Sequence, residues 1–520
     1  MTSRRRFLIT SAGLLLTAPG YGALASLASR TPFTLGVASG CPRPDRVTLW
    51  TRIAPEPMAI EPAAREDLVV RCLLALDPEF RNIVLDTLVP APAADAHSVH
   101  FTPRGLAPGT DYFYRFELGE DASPVGRTRT APAPDADPDL TIAVASCQHY
   151  EYGHFAAWRD VAEQSPDLVV HLGDYIYEYG PRPLGISRHP FIEGAEIEVV
   201  RQHSSPEIRS LAEYRERYAQ YRLDPDLQAA HAAAPWLVSF DDHEVDNNWA
   251  GLAPEDPDRQ TPLEFRVRRR AALQAWWEHM PLEQRPRLDG LDARIQAHGT
   301  WRFGRQVDLM LLDTRQYRSD QPCGQAFPSD MDCTDRHDPT LTMLGRGQRN
   351  WLEAELRNGS ARWTLLAQQT WFSPFAYPDG RFNMDQWDGY TVERQRLTKA
   401  LSDPRIANPV LLGGDWHYGA AFDVPSDPAD SASAPVAAEF DAGSISTPCL
   451  WSGAVDEATP LNPHMRYAGG DQRGYLKCRA GREGFEVDYR VVAEPSIAGS
   501  ATSTDRTLRV AAGRRGIDPA

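Results

Sequence analysis

The sequence contains no internal run of eighteen or more apolar residues, so no membrane-spanning helix is expected in the mature chain. Cysteine is scarce. Seven in 520 residues are too few for a disulfide scaffold, and the odd number leaves at least one without an intramolecular partner. Positive charge is in deficit. Lys and Arg number 54 against 71 Asp and Glu, and the formal net charge of −17 disfavours DNA or RNA as the main partner. No segment repeats at a fixed period. No Gly-x-Ser-x-Gly elbow is present, because Gly36-Val37-Ala38-Ser39-Gly40 has the wrong spacing, which weakens the case for a serine nucleophile. What remains is an ordinary globular composition. An apolar fraction of 42% with 24% charged residues argues against a disordered chain, and the length leaves room for about two to four domains.

Residues 1–30 read as an export address. Arg4, Arg5 and Arg6 precede the apolar Phe7-Leu8-Ile9, and small residues follow, with Ala23-Leu24-Ala25 and Leu27-Ala28-Ser29 as cleavage candidates. The Arg-Arg-x-Phe-Leu core resembles a twin-arginine signal. The expected partner is therefore the twin-arginine export machinery, which moves proteins already folded. The expected location is the periplasm or the extracellular space.

The rest of the chain has two rhythms. Residues 31–130 read as short strands broken by turns. Gly105-Leu106-Ala107-Pro108-Gly109-Thr110 leads into a strand with Tyr112, Tyr114 and Phe116 on one face, similar to the tyrosine corner of fibronectin type III sandwiches. A small β-sandwich is expected there, followed by the Pro- and Asp-rich linker 131–138. From residue 139 to 495, near-continuous apolar strands alternate with helical stretches, the pattern of an α/β sheet covered on both faces. The strands expected are 140–146, 168–172, 236–240, 307–312, 363–367 and 409–412. Helices are expected at 155–164, 211–221, 262–279, 348–356 and 391–401. Residues 427–434 read as a low-complexity loop and 496–520 as a loose tail. Arg268-Arg269-Arg270 reads as surface charge in preference to a phosphate-facing patch. Cys323 and Cys333 flank a Gly- and Pro-containing loop that a disulfide would staple.

Four of the strands run into residues that bind metals. The first leads to Cys147-Gln148-His149, the second to Gly173-Asp174-Tyr175-Ile176-Tyr177, the third to Asp241-Asp242-His243-Glu244-Val245-Asp246-Asn247, and the last to Gly414-Asp415-Trp416-His417. Ligands of open α/β sheets bind beyond the carboxyl ends of strands. A thiol, a phenol, carboxylates, an amide and an imidazole gathered there need a counter-charge, and a metal cluster supplies it. Taken singly, Cys147 and Tyr177 are equally at home as packing residues, His243 and His417 as structural histidines, and Asp241 as a surface acid.

These motifs, in order with Leu312-Asp313-Thr314-Arg315-Gln316-Tyr317, Gln368-Gln369-Thr370-Trp371 and Trp387-Asp388-Gly389-Tyr390, resemble the alkaline phosphatase D family over about residues 31–490. The resemblance implies a four-layer α/β/β/α metallophosphoesterase sandwich behind the small β-sandwich. It also implies hydrolysis of phosphate mono- and diesters, phospholipid head groups among them, with iron(III) and calcium as cofactors. Carried over by motif, Cys147, Asp174, Tyr177 and His417 hold iron, Asp174 bridges, and Asp242, Asn247 and Asp415 serve calcium. Soft donors for iron and hard oxygens for calcium agree with that division. A metal-activated hydroxide would attack phosphorus while His243 assists the leaving group. Cys41 stands where the family usually has Asp, and Trp416 and Tyr418 are bulky neighbours for His417, so the pocket's shape is expected to be this chain's own. A monomer is expected. The alternatives are an exported binding protein with a degenerate hydrolase domain and a serine-type esterase.

Overall fold

The structure is a computed structural model and describes residues 31–59, 66–188, 195–324 and 333–519. The export signal expected at residues 1–30 lies outside the described residues. The N-terminal part carries β1 (Val37–Arg43), β2 (Arg46–Arg52), β3 (Leu68–Ala75), β4 (Ile83–Ala91), β5 (Ser98–Phe101), β6 (Asp111–Leu118), β7 (Asp121–Ala122) and β8 (Gly126–Arg129). In β6 the period of two buries Tyr112, Tyr114 and Phe116 in one core with Val37, Leu49 and Val70 of the facing strands. The corner is closed as its sequence predicts, because the Tyr112 hydroxyl accepts the Ala107 N–H at 2.9 Å.

The second part holds β9 (Leu140–Ala145), α1 (Ala156–Gln164), β10 (Leu168–His171), β11 (Gly185–Arg188), β12 (Glu196–Val199), α2 (Leu211–Arg222), α3 (Pro225–Ala233), β13 (Pro235–Val238) and α4 (Pro262–His279). It continues with β14 (Gly299–Phe303), β15 (Val307–Leu311), α5 (Gly345–Asn358), β16 (Trp363–Ala367), α6 (Thr391–Leu401), β17 (Pro409–Gly413), β18 (Ala420–Asp427) and β19 (Asp430–Asp441). The chain ends with α7 (Ser452–Ala458), β20 (Met465–Ala468), β21 (Gly474–Ala480), β22 (Gly484–Val492) and β23 (Thr502–Ala511). Local chemistry sets the helix starts. Ser210 with Glu213 and Thr261 with Glu264 form capping boxes at α2 and α4, and Asp224 caps α3 ahead of Pro225.

Two mixed sheets stack face to face. One has the order β23-β22-β21-β9-β10-β13-β1-β2-β5, the other β14-β15-β16-β17-β19-β18-β20. Strict alternation divides the second sheet's side chains. Leu309, Leu365 and Val410 join Ile142 and Val144 of the first sheet in the central core. Met310, Leu366 and Leu411 turn outward onto Leu352 and Leu356 of α5 and Leu397 and Leu401 of α6. Over the first sheet, Trp236 packs against Trp158 of α1 and His231 of α3, with ring centroids 4.9 and 3.7 Å away. The result is the four-layer α/β/β/α sandwich.

Four features differ from the sequence reading. The inner sheet of the N-terminal sandwich is not separate, because β1 pairs in parallel with β13 through Ser39↔Pro235 and Gly40↔Trp236. Residues 496–520 are not a loose tail. β23 pairs antiparallel with β22 along its length, and the Ile517 N–H donates to Asp423 at 2.7 Å. Residues 427–434 are a hairpin end, with β18 and β19 paired as far as Asp427↔Asp430. Arg268 and Arg269 are 2% exposed and not surface charge. Arg268 donates to Asp246 at 2.7 Å and to the Tyr214 hydroxyl at 3.0 Å, and Arg269 donates to the Ala293 carbonyl at 2.8 Å. A buried guanidinium survives because these acceptors replace water. Cys323 and Cys333 form a disulfide, and the remaining five cysteines are free and buried.

Candidate metal centre

The carboxyl ends of β9, β10 and β13, parallel neighbours in one sheet, meet the ends of β15, β16 and β17 from the other. Every strand end that the sequence marks opens into this one place. One donor atom each from Cys147, Asp174 and His417 lie within 4.8 Å of one another. The same holds for Asp174, Asp242 and His243, and for Asp241, Asp242 and Asp415. Asp174 and Asp242 are shared between groups, so the three groups form one continuous cluster.

The backbone is bent to make it. Cys147, Asp174, Asp415 and His417 have φ of 59°, 58°, 64° and 55°, the left-handed region that non-glycine residues rarely enter. Strain of this kind persists where surrounding structure over-determines it, typically at functional sites. The supports are visible. The Cys147 N–H donates to the Gly173 carbonyl at 3.1 Å, and the Asp174 N–H donates to Glu244 at 3.0 Å. Glu244 also accepts the N–H groups of Tyr175 at 2.7 Å and Asp241 at 2.9 Å, which ties β10's end to β13's.

Gly173 sits at φ 116°, and a Cβ there would lie 2.5 Å from the Asp241 Cβ. Gly173→Ala therefore combines backbone strain with a clash against an acid of the cluster. A loss of about 2–4 kcal/mol is expected, read as a lower denaturant midpoint, with metal retention lost as well. An unchanged midpoint would mean that this turn is not rigid.

The hydrogen bonds specify each side chain. The Tyr177 hydroxyl donates to Asp174 Oδ2 at 2.9 Å and stands 3.3 Å from His417 Nε2 and 3.1 Å from the Thr447 hydroxyl. Asp415 Oδ2 accepts the Thr370 hydroxyl at 3.1 Å. His243 places Nδ1 2.8 Å from Glu178, whose other oxygen accepts the Asn247 N–H at 2.9 Å, and its Nε2 lies 4.0 Å from Asp174. The Asn247 side chain lines the cleft and donates to Glu255 at 2.5 Å. Asp241 and Asp242 part company here. Arg315 Nε donates to Asp241 at 2.5 Å, while Asp242 accepts the Asn248 and His243 N–H groups at 2.7 and 3.0 Å and lines the cleft. Asp241 is 2% exposed and so is no surface acid.

Charge is the dominant fact of the site. Asp174, Asp241, Asp242 and Asp385 are buried and Asp415 is half-buried, with buried Glu178 and Glu244 behind them, and the guanidinium groups of Arg315 and Arg318 meet Asp241, Asp242 and Asp385. Arg315 donates to both oxygens of Asp385 at 2.9 and 2.8 Å. Burial pushes the Asp174 and Asp415 carboxyls well above the usual range, and nearby acids add to it. Burial lifts Asp241 to about 6 against the pull of Arg315. Asp242 and Asp385 are held low against their burial, Asp242 by Arg315 and His243 and Asp385 by Arg315 and Arg318. Burial, then Asp174, also raises the Cys147 thiol and the Tyr177 phenol, and burial lowers His417 to about 3. A thiol, a phenol, a neutral imidazole and surplus carboxylates around one point are donors awaiting a cation. The donor set therefore fits a pair of metals.

Arg315, Asp385, Glu178, Glu244 and Thr447 are functional neighbours to which the sequence reading assigned no role. Arg315 follows a strand end, which is a usable signal. Thr447 and Asp385 lie in loops with no local pattern.

Comparison with known proteins agrees with this geometry. The PhoD-like phosphatase family model matches residues 142–489, and the model of the family's N-terminal domain matches residues 20–132. Alkaline phosphatase D of Bacillus subtilis (strain 168) is 41% identical over 487 residues, covering 92% of this chain and 80% of that protein. A solved structure of PhoD superposes with a TM-score of 0.85 at 38% identity, over 95% of this chain and 92% of the other. The purple acid phosphatase PPD1 of yellow lupin (Lupinus luteus) has a TM-score of 0.53 at 11% identity over 92% and 73% of the two chains, a likeness of fold alone. These matches show that the chain belongs to the PhoD-like phosphatase family and is a phosphoric ester hydrolase.

Proposed function

We propose that this chain is an exported, metal-dependent hydrolase of phosphate mono- and diesters with iron(III) and calcium at its centre. The observation that carries the reading is the continuous group of donors from Cys147 and His417 through Asp174 to Asp242 and Asp415. Cys147, Asp174, Tyr177 and His417 would hold iron, whose preference for thiolate, phenolate and imidazole suits that end. Asp174, Asp242, Asn247 and Asp415 would hold calcium, a hard cation that takes oxygen ligands. Arg315 holds the Asp241 carboxylate and Glu244 its backbone N–H, which favours Asp242 as the ligand of the two. When bound, the metals supply charge neutralisation at the phosphoryl group and an activated water.

The chain's own residues do the rest. The buried strand ends fix the donors before substrate arrives, which spares reorganisation in the transition state. Glu178 holds His243 Nδ1 and so keeps Nε2 beside Asp174 at the cleft. The Glu178 carboxylate against Nδ1 favours a proton on that ring. From that position His243 can donate to the departing alcohol oxygen.

Removal of calcium tests the reading. Dialysis of the purified enzyme against a calcium-selective chelator is expected to reduce kcat on aryl and alkyl phosphate esters at least a hundredfold, of the order lost when an electrostatic stabiliser goes. Calcium should restore it. Full activity in exhaustively chelated protein, with metal content measured on the same sample, would overturn the assignment.

A further inference from the structure

The cleft above the donor cluster has a volume of about 390 Å³ and two unlike halves. One is the acidic floor. The other is mainly apolar and is lined by Tyr152, Ile197, Leu450, Trp416 and Trp451, with the Arg182 guanidinium at its edge, 5.5 Å from the Tyr152 ring centroid. Four separate segments build it: the turn after β9, strand β12, the turn after β17 and the loop after β19. Leu450 packs against Tyr152 and Ile197. The Trp451 ring lies 4.8 Å from Trp416 at 46° and 5.4 Å from the His417 ring at 33°. An aromatic wall thus begins directly beside a proposed metal ligand.

A phosphoryl group makes no use of such a wall, because its oxygens seek metals and hydrogen-bond donors. A hydroxyl-rich alcohol would leave it facing water, at a cost proportional to the apolar area. A flat apolar ring attached to the ester oxygen through one or two carbons would reach from the cluster to Trp451. It would bury there in offset or edge-on contact. We infer that this half of the cleft is the alcohol pocket, and that the preferred substrates are phosphate esters whose alcohol carries an aromatic ring. The inference rests on the metal-dependent phosphoesterase reading and names the substrate class of that same site. Trp451 supplies the stacking face, and Ile197 with Leu450 adds aliphatic surface.

The test compares 2-phenylethyl phosphate with glycerol phosphate on the metal-replete enzyme. Both release alkyl alcohols, so the ratio of kcat/KM reports recognition of the ring more than leaving-group reactivity. The matched methyl diesters serve in parallel. The phenylethyl ester is expected to be preferred at least tenfold, about 1.4 kcal/mol, mainly through KM. Trp451→Leu, which keeps apolar bulk but loses the ring plane, should cut that ratio at least threefold. Ile197→Ser, on a different segment, should do the same. Taking the ratio cancels any general effect of a variant on folding or on His417. A wild type that prefers the glycerol ester, or a ratio unchanged in both variants, overturns the inference. Turnover of none of the esters would instead refute the phosphoesterase reading beneath it.

Discussion

Asp174→Asn is expected to lower kcat at least about a thousandfold, the scale seen when a preorganised charge at the reacting centre is removed. The variant should still fold. Asp174 belongs to two of the three donor groups, with Cys147 and His417 on one side and Asp242 and His243 on the other. Its loss therefore reaches both proposed metals at once. The metal-free protein should behave oppositely. Asp174 is 1% exposed, and its carboxyl is pushed up by burial and then by Asp242, Asp241 and Glu244, against His243. A carboxyl that burial already presses towards its neutral form loses little when an amide of the same shape replaces it in the apo-protein. Its melting temperature should stay level or rise, while metal content measured after loading falls at both positions. A variant with near-normal kcat would remove Asp174 from the centre. A variant that loses activity only because it unfolds would show a lower melting temperature without metal, and this would count equally against the assignment.

Most of what positions the site could be read from the chain. Strands ending before Cys147, Asp174, Asp241 and Asp415 are short apolar runs flanked by glycine or polar clusters, and such runs form where both faces are covered. Their observed limits, such as Pro409–Gly413, follow the apolar run closely. The helices with strong local starts were equally legible, because Thr261 and Pro262 fix the first turn of α4 whatever it packs against. Left-handed backbone at four donor positions was not legible, since none of the four is glycine and only the tertiary contacts hold them there.

The misses share a cause, which is pairing over long sequence distances. The edge strand β23 is polar, with Thr502, Ser503, Thr504, Asp505 and Arg506 in its first half, and it reads as tail until β22 offers it a partner. The bond between β1 and β13 spans about two hundred residues and leaves no local trace. Arg268 and Arg269 look like a surface charge run because the sequence does not display their acceptors, Asp246 and the Ala293 carbonyl. The same holds for Asp241. Only the fold brings Arg315 to it, and only then do the two adjacent acids acquire different neighbours.

Cys147→Ser should separate the iron half of the proposal from the calcium half. The thiol is 1% exposed, and burial, then Asp174 and Asp415, press it towards the neutral form. With no cation beside it, Cys147 would remain a protonated, small packing residue. With iron(III) beside it, the thiolate and the Tyr177 phenolate become ligands, and their charge-transfer bands should give the purified protein a visible colour. A serine hydroxyl is a poorer soft donor. The variant is thus expected to lose the thiolate part of the spectrum and to retain at least tenfold less iron after dialysis. The Tyr177 hydroxyl, still bonded to Asp174, keeps its place. If Cys147 only packs, the serine variant keeps its spectrum, its iron and its activity, and loses a few kcal/mol of stability at most. A colourless, iron-free and fully active wild type would overturn the iron assignment. The acids Asp174, Asp242 and Asp415 would then have to form an all-oxygen site, and the chelation experiment alone would carry the metal dependence.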